Sequence, residues 1–166
     1  MSTSSLYAGN QGVSGYFGFG LGGSSTDDSG LDVAATGSIV AGIEEDGWAV
    51  EYGAFISAET GSDDPAVDYT LSGSQLSLSY RTVESGGHYY KVRYGTSDVD
   101  VEYKNDVLSP IESSGNIWGL AIGFRMGRAE RLEIEYGIYL PDEATFNNTH
   151  MLMFSYLWGG PSSGRR

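Results

Sequence analysis

The chain contains no cysteine. That excludes disulfide staples, thiolate nucleophiles and zinc–thiolate sites, and it fits any compartment, an oxidising one included. Basic residues are few, with 9 Lys plus Arg against 22 Asp plus Glu and a formal net charge of −13. Nucleic-acid binding needs a basic surface, so that class is set aside. No apolar run approaches the roughly 18–20 residues of a membrane helix. Met1–Ser5 lacks the basic start and apolar core of a secretory signal, so the chain reads as non-exported or as a mature or engineered form. Proline is scarce at 4 residues and only two histidines occur, His88 and His150. Glycine is plentiful at 25 residues and tyrosine reaches 12, with aromatics at 13%. This mixture suits closely spaced strands and glycine-rich turns more than helices.

The stretch SLSYRTVESGGHYYKVRY, Ser77 to Tyr94, carries the pattern in miniature. Alternate residues divide it into a mainly apolar set (Leu78, Tyr80, Thr82, Tyr90, Val92, Tyr94) and a mainly small, polar or cationic set (Ser77, Ser79, Arg81, Tyr89, Lys91, Arg93). Alternation on both sides of a Glu-Ser-Gly-Gly turn is a β-hairpin signal. Eight such segments are legible: 15–23, 34–44, 48–59, 72–83, 88–99, 116–126, 132–140 and 149–158. Residues 1–12 read as an N-terminal tail, 13–158 as one eight-stranded antiparallel up-and-down barrel, and 159–166 as a C-terminal tail or linker remnant. The connectors alternate in length. Residues 45–47, 84–87 and 127–131 are tight turns, whereas 24–33, 60–71, 100–115 and 141–148 are longer loops. Short turns at one end and long loops at the other describe a transmembrane barrel with unlike ends, the short turns being periplasmic.

Size decides which face is inside. One face of the segments carries Phe17, Phe19, Leu21, Ile39, Tyr52, Leu120, Ile122, Phe124, Tyr136 and Phe154 among others. The opposite face carries Gly18, Gly20, Gly42, Gly53, Ala121, Gly123 and Ser155 together with a few long charged chains. An eight-stranded barrel has an interior only just wide enough for side chains to fill, so the small face belongs inside. The bulky face is then outside, and that much contiguous apolar surface is stable only in lipid. Trp48, Tyr80, Tyr90 and Trp158 at segment ends match an interfacial aromatic girdle. The inner charges are Glu44, Glu51, Glu133 and Glu135 against Arg81, Lys91, Arg93 and Arg125. Buried charges must pair, so these eight are expected to form a lumen ion-pair network in which Arg125 and Glu135 lie at comparable heights.

YFGFGLGG (Tyr16 to Gly23) and MLMFSYLW (Met151 to Trp158) resemble the aromatic-glycine first strand and the closing strand of the small Gram-negative outer-membrane barrels, the OmpA transmembrane domain and OmpX among them. The resemblance implies an outer-membrane location, insertion by the barrel-assembly machinery and a lumen held by ion pairs. It also implies lipid and lipopolysaccharide as neighbours. Some barrels of this size are lipid A-modifying enzymes, one type using a His and a Ser two residues apart with a carboxylate. Here Ser155 follows His150 by five residues, about 17 Å along a strand, too far for a nucleophile–base pair. No catalytic residue and no cofactor is assigned.

The predicted outer loops are acidic, holding Asp27, Asp28, Asp32, Glu59, Asp63, Asp64, Asp68, Asp106, Glu112, Asp142 and Glu143. Asp98, Asp100 and Glu102 alternate on one face and are weak candidates for a divalent cation, which oxygen ligands suit. The expected function is a non-enzymatic, monomeric outer-membrane barrel with a side-chain-plugged lumen, serving structure or surface interaction. A narrow gated channel, a lipid A-modifying enzyme and a soluble lipocalin-like carrier are the alternatives.

Overall fold

The alternation of large and small side chains continues into eight strands: β1 (Ser14–Thr26), β2 (Ala34–Glu45), β3 (Trp48–Ser57), β4 (Tyr69–Arg81), β5 (His88–Tyr103), β6 (Ile111–Arg125), β7 (Glu130–Pro141) and β8 (Thr149–Gly159). The structure is a computed structural model that describes residues 12–26, 33–59, 68–82, 86–103, 109–142 and 147–159. Each strand pairs antiparallel with its neighbour in sequence, and β8 closes on β1 from Tyr16↔Gly159 to Thr26↔Thr149, giving a closed barrel.

The register sets the barrel's dimensions. The line of partners Gly15–Ile43–Val50–Leu78–Tyr94–Trp118–Ile138–His150 returns to β1 at Ser25, ten residues above its start. A stagger of this size tilts the strands by roughly 35–45° and leaves an interior that side chains can fill. The β2–β3 connection is the two-residue turn Asp46-Gly47, with φ of 50° and 86°. Both central residues are left-handed, the type I′ geometry that matches strand twist and favours Asp-Gly.

Several strands are longer than their sequence pattern indicates. β5 reaches Tyr103 rather than Val99 and β6 begins at Ile111 rather than Asn116, so much of the expected 100–115 loop is sheet, paired as Asp100↔Glu112 and Val101↔Ile111. β4 likewise begins at Tyr69 rather than Ser72, whereas β3 stops at Ser57, two residues short of Glu59. β8 takes in Gly159, assigned to the tail by sequence. The physical reason lies in a change of solvent along the strand.

β5 displays that change most clearly. Outward it presents Tyr90, Val92 and Tyr94, then Thr96, then Asp98, Asp100 and Glu102. Inward it presents Tyr89, Lys91 and Arg93, then Gly95 and Ser97, then Val99 and Val101. The two faces exchange character near Gly95–Ser97. β6 does the same: Phe124, Ile122, Leu120 and Trp118 give way outside to Asn116, Ser114 and Glu112, while Gly119 gives way inside to Ile117. Near the short turns the barrel is apolar outside and polar inside. Beyond the exchange it is polar outside and apolar inside, like a water-soluble sheet.

The apolar outer belt fits a bilayer. Leu132 to Leu140 on β7 spans about 26 Å along the strand, or about 20 Å along the axis after the tilt. Ring side chains at either margin bring this to the roughly 25 Å of an outer-membrane belt. At the short-turn margin Trp48 packs on Tyr80 with ring centroids 5.0 Å apart, Trp158 packs on Phe17 at 5.5 Å, and Tyr90 faces His88 at 6.2 Å. A second margin, absent from the sequence reading, lies where the faces exchange. There Tyr94 packs tilted against Trp118 with ring centroids 4.4 Å apart and donates to Asn116 Oδ1 at 2.9 Å, and Tyr136 bonds His150 Nδ1 at 2.6 Å. Rings with one wet edge suit a lipid–water boundary.

Leu120 and Ser114 share the outer face of β6 on opposite sides of that boundary. Leu120→Arg is expected to cost about 2–4 kcal/mol, the penalty for a cation near the midplane. Ser114→Arg stays within about 0.5 kcal/mol, as for an ordinary surface change. Equilibrium unfolding in lipid vesicles measures both, and equal costs would disprove a boundary at Asn116.

Candidate functional site

The inward residues of the lower barrel converge on an ion-pair network. Glu44 at the end of β2 accepts from Arg81 on β4 and from Arg131 Nη1 on β7, the latter at 2.9 Å. Glu51 on β3 accepts from Tyr16 of β1 and from Lys91 Nζ of β5 at 3.2 Å. Glu133 accepts from Lys91 Nζ at 2.6 Å and from the Tyr89 hydroxyl at 2.5 Å. Glu135 takes Arg93, with Lys91 Nζ a further 3.4 Å away. Each of these four carboxylates therefore meets two donors, and Lys91 alone bridges three of them across the barrel. Arg81 and Arg131 lie over the rings of Tyr89 and Tyr16 at 4.8 and 4.7 Å, so their flat faces are covered as well.

Such pairing is what lets charge be tolerated there. Lys91, Glu51 and Glu133 are almost fully buried. Desolvating an ion costs several kcal/mol, which is repaid only where geometry and added hydrogen bonds are good. Four carboxylates against Arg81, Lys91, Arg93 and Arg131 leave no net charge, and the two tyrosine hydroxyls supply the extra donors.

One member of the expected network is displaced. Arg125 stands opposite Arg131, while Glu135 stands opposite Ala121. Arg125 is thus four residues nearer the turn than Glu135's partner position, about 13 Å along the strand. Arg125 and Glu135 are not level. Arg125 is half-buried at the short-turn rim, beside Arg81, Glu130 and Arg131. Sequence reading missed Arg131, Tyr16 and Tyr89. Arg131 falls within the turn expected over 127–131, although it continues the inward parity of Glu133 and Glu135. The two tyrosines share the parity of Gly18 and Lys91 but resemble lipid-facing residues in size.

Above the network the wall is lined by Gly53 of β3, Gly95 of β5, Gly119 of β6 and Gly137 of β7. A cavity of about 50 Å³ lies at this waist, bordered by Lys91, Arg93, Glu135, Gln75, Ser38 and Ser155. It has room for a few waters. Higher still, Phe55, Leu71, Val99, Val101, Ile117, Tyr139 and Met151 form a buried apolar cluster. The Tyr139 hydroxyl is satisfied by the carbonyl and hydroxyl of Ser113, each at 2.9 Å. A uniformly small and charged lumen, as the sequence suggested, is therefore corrected in its outer third, where the surrounding solvent is water rather than lipid.

Asp98, Asp100 and Glu102 stand exposed on the outer face of β5, with Glu112 on the neighbouring β6 and Asp142 just past the end of β7. Ser114 donates to Asp98 Oδ1 at 2.7 Å. Among the described residues no three acidic or histidine side chains gather as a metal site. Asp27, Asp28, Asp32, Asp63, Asp64, Asp106 and Glu143 lie outside the described residues, whereas Glu59 is exposed and Asp68 is buried. His88 and His150 sit at opposite margins of the outer belt, and Ser155 lies on the inner face.

No family model and no curated relative matches the chain. Solved structures with the same fold include the N-terminal β-barrel domain of Pseudomonas aeruginosa OprF, at TM-score 0.66 and 12% identity over 91% of this chain and 99% of that one. Neisserial surface protein A gives 0.63 and 14% over 90% and 98%. Ail, the attachment invasion locus protein of Yersinia pestis, gives 0.61 and 12% over 89% and 97%.

Lys91→Ala is expected to be the most damaging network substitution, at or above the roughly 3–5 kcal/mol typical of stranding a buried charge. Arg81→Ala should cost less, because Arg131 still holds Glu44. In double-mutant cycles Arg93 and Glu135 should couple strongly, whereas Arg125 and Glu135 should add within about 0.5 kcal/mol. Coupling in the second pair alone would refute the register. Stagger, belt and filled lumen together give this chain the fold of the small eight-stranded outer-membrane β-barrels of the OmpA and OmpX kind.

Proposed function

We propose that this protein is a non-enzymatic, monomeric barrel of the Gram-negative outer membrane, closed to bulk transport, that acts in structure or surface interaction through its acidic outer wall. The observation that carries this reading is the interior: an ion-pair block and an apolar block succeed one another along the axis, with only a small cavity between them. A hydrated solute on that path must displace paired charges and cross a mainly apolar constriction.

The charge of the outer wall supports a reading of the partners. Asp98, Asp100, Glu102, Glu112 and Asp142 repel polyanions, so surface partners would be cationic groups, or anionic groups bridged by divalent cations. Lipopolysaccharide phosphates are the nearest of the latter kind. The closing strand, with its outward aromatics ending at Trp158, is the segment that the barrel-assembly machinery would read. The histidines support no acyl-transfer site: His150 is engaged by Tyr136 on the lipid side, away from Ser155.

Planar-bilayer recording of the purified chain tests this reading, with lipid A mass analysis beside it. Absent or rare, small openings and unchanged lipid A are expected. Steady, large conductance would replace the closed barrel by a pore, and altered acylation would replace it by an enzyme.

A further inference from the structure

We infer that the waist cavity is an occluded chamber with two separate barriers of opposite chemistry, an apolar one toward the cell exterior and an ionic one toward the periplasm. The inference rests on the closed-barrel reading and deepens it by assigning each seal to its own residues. Inward positions on β5 and β7 report the same order. Lys91, Arg93 and Glu135 lie below the glycines Gly95 and Gly137, whereas Val99 and Tyr139 lie above them. Phe55 borders the cavity from the apolar side and is the register partner of Ser38. Lys91, Arg93 and Glu135 border it from the other.

The barriers resist entry for different reasons. The outer block is mainly apolar, and its Tyr139 hydroxyl is already held by Ser113, so it offers little to replace the hydration of an ion crossing it. The inner block is held by interlocked ion pairs, with Leu157 and Ala49 packed on Tyr16 among them, so entry requires parting charges that hold one another. Neither block contributes a residue to the other, since the glycines and the cavity intervene. They therefore act in series, and loss of one leaves the chamber open to one side only.

A chain with no cysteine makes the test direct. Ser38→Cys places a single thiol in the chamber, beside Phe55. The chain is reconstituted in vesicles with defined orientation, folding is verified by heat-modifiable gel mobility, and a membrane-impermeant maleimide is added from either side. In the otherwise unmodified chain, labelling should be at least 100-fold slower than for Ser114→Cys on the outer wall. Phe55→Ala with Ile117→Ala should expose the thiol to reagent from the exterior only. Lys91→Ala with Glu133→Ala, which removes one charge of each sign, should expose it from the periplasmic side only. Ile117→Ala alone and Lys91→Gln alone are milder versions should either pair fail to fold, with the same directions expected.

Rapid labelling in the unmodified background, continued protection after the outer pair is removed, or entry from the wrong side would each overturn the inference. Conductance of the unmodified chain is recorded in parallel. A silent unmodified barrel whose thiol stays protected after Phe55 and Ile117 are trimmed defeats the two-barrier assignment and leaves the closed barrel standing. A conducting unmodified barrel defeats the closed-barrel reading itself.

Discussion

Closing eight strands with a stagger of ten residues is the constraint on which the rest depends. It fixes an interior that accepts one layer of side chains reaching toward the axis and little more. Bulky residues cannot occupy every inward position, which is why glycine and serine are so frequent there. Where long chains do reach inward, they must share the axis with chains from the opposite wall. Lys91 illustrates the result: its ammonium meets carboxylates from β3 and β7 because the barrel is narrow enough for all three to reach it. In a wider barrel the same charges would be separated by water and would line a channel.

The second governing fact is that the strands outlast the membrane. A β-strand offers two faces, and their roles follow from what lies outside the wall. In lipid, the outer face is apolar and the narrow interior can hold charge. In water, the outer face must be polar, and the interior must supply the hydrophobic burial that lipid no longer provides. The Val99–Val101 and Asp98–Asp100–Glu102 positions of β5 are one strand obeying the second rule after obeying the first. Filling of the lumen by two unlike blocks follows from this change of surroundings.

Much of this was legible in the sequence. Alternation located all eight strands, the Asp-Gly turn announced itself, and residue size assigned the faces through the membrane. Sorting by size gave Tyr16 and Tyr89 no part in the network, because a tyrosine that aims its hydroxyl at a buried carboxylate looks the same in sequence as one that lies at an interface. It failed at Val99, Val101, Ile117 and Met151, which are large and yet inside, since nothing local states where lipid ends. Strand ends beyond Val99 and before Asn116 carry acidic and serine residues that suit a loop equally well. The exchange of Arg131 for Arg125 has a different origin. It turns on the β6–β7 hairpin: Arg125 pairs with Arg131 across a short turn, which sets Glu135 against Ala121, and a strand begun at Leu132 leaves Arg131 out by one residue.

The outer extension has a consequence for what the barrel can tolerate. From Asp98 to Tyr103 the β5 wall rises about 17 Å along the strand beyond the apolar belt, and it is braced from within by its own apolar cluster. The connectors that leave this rim depart from a rigid pedestal that stands clear of the lipid headgroups. Their length and composition can therefore drift, or be replaced outright, with little effect on the membrane-embedded part. In the laboratory such a pedestal offers the Tyr103–Ile111 junction as a place to display a foreign peptide.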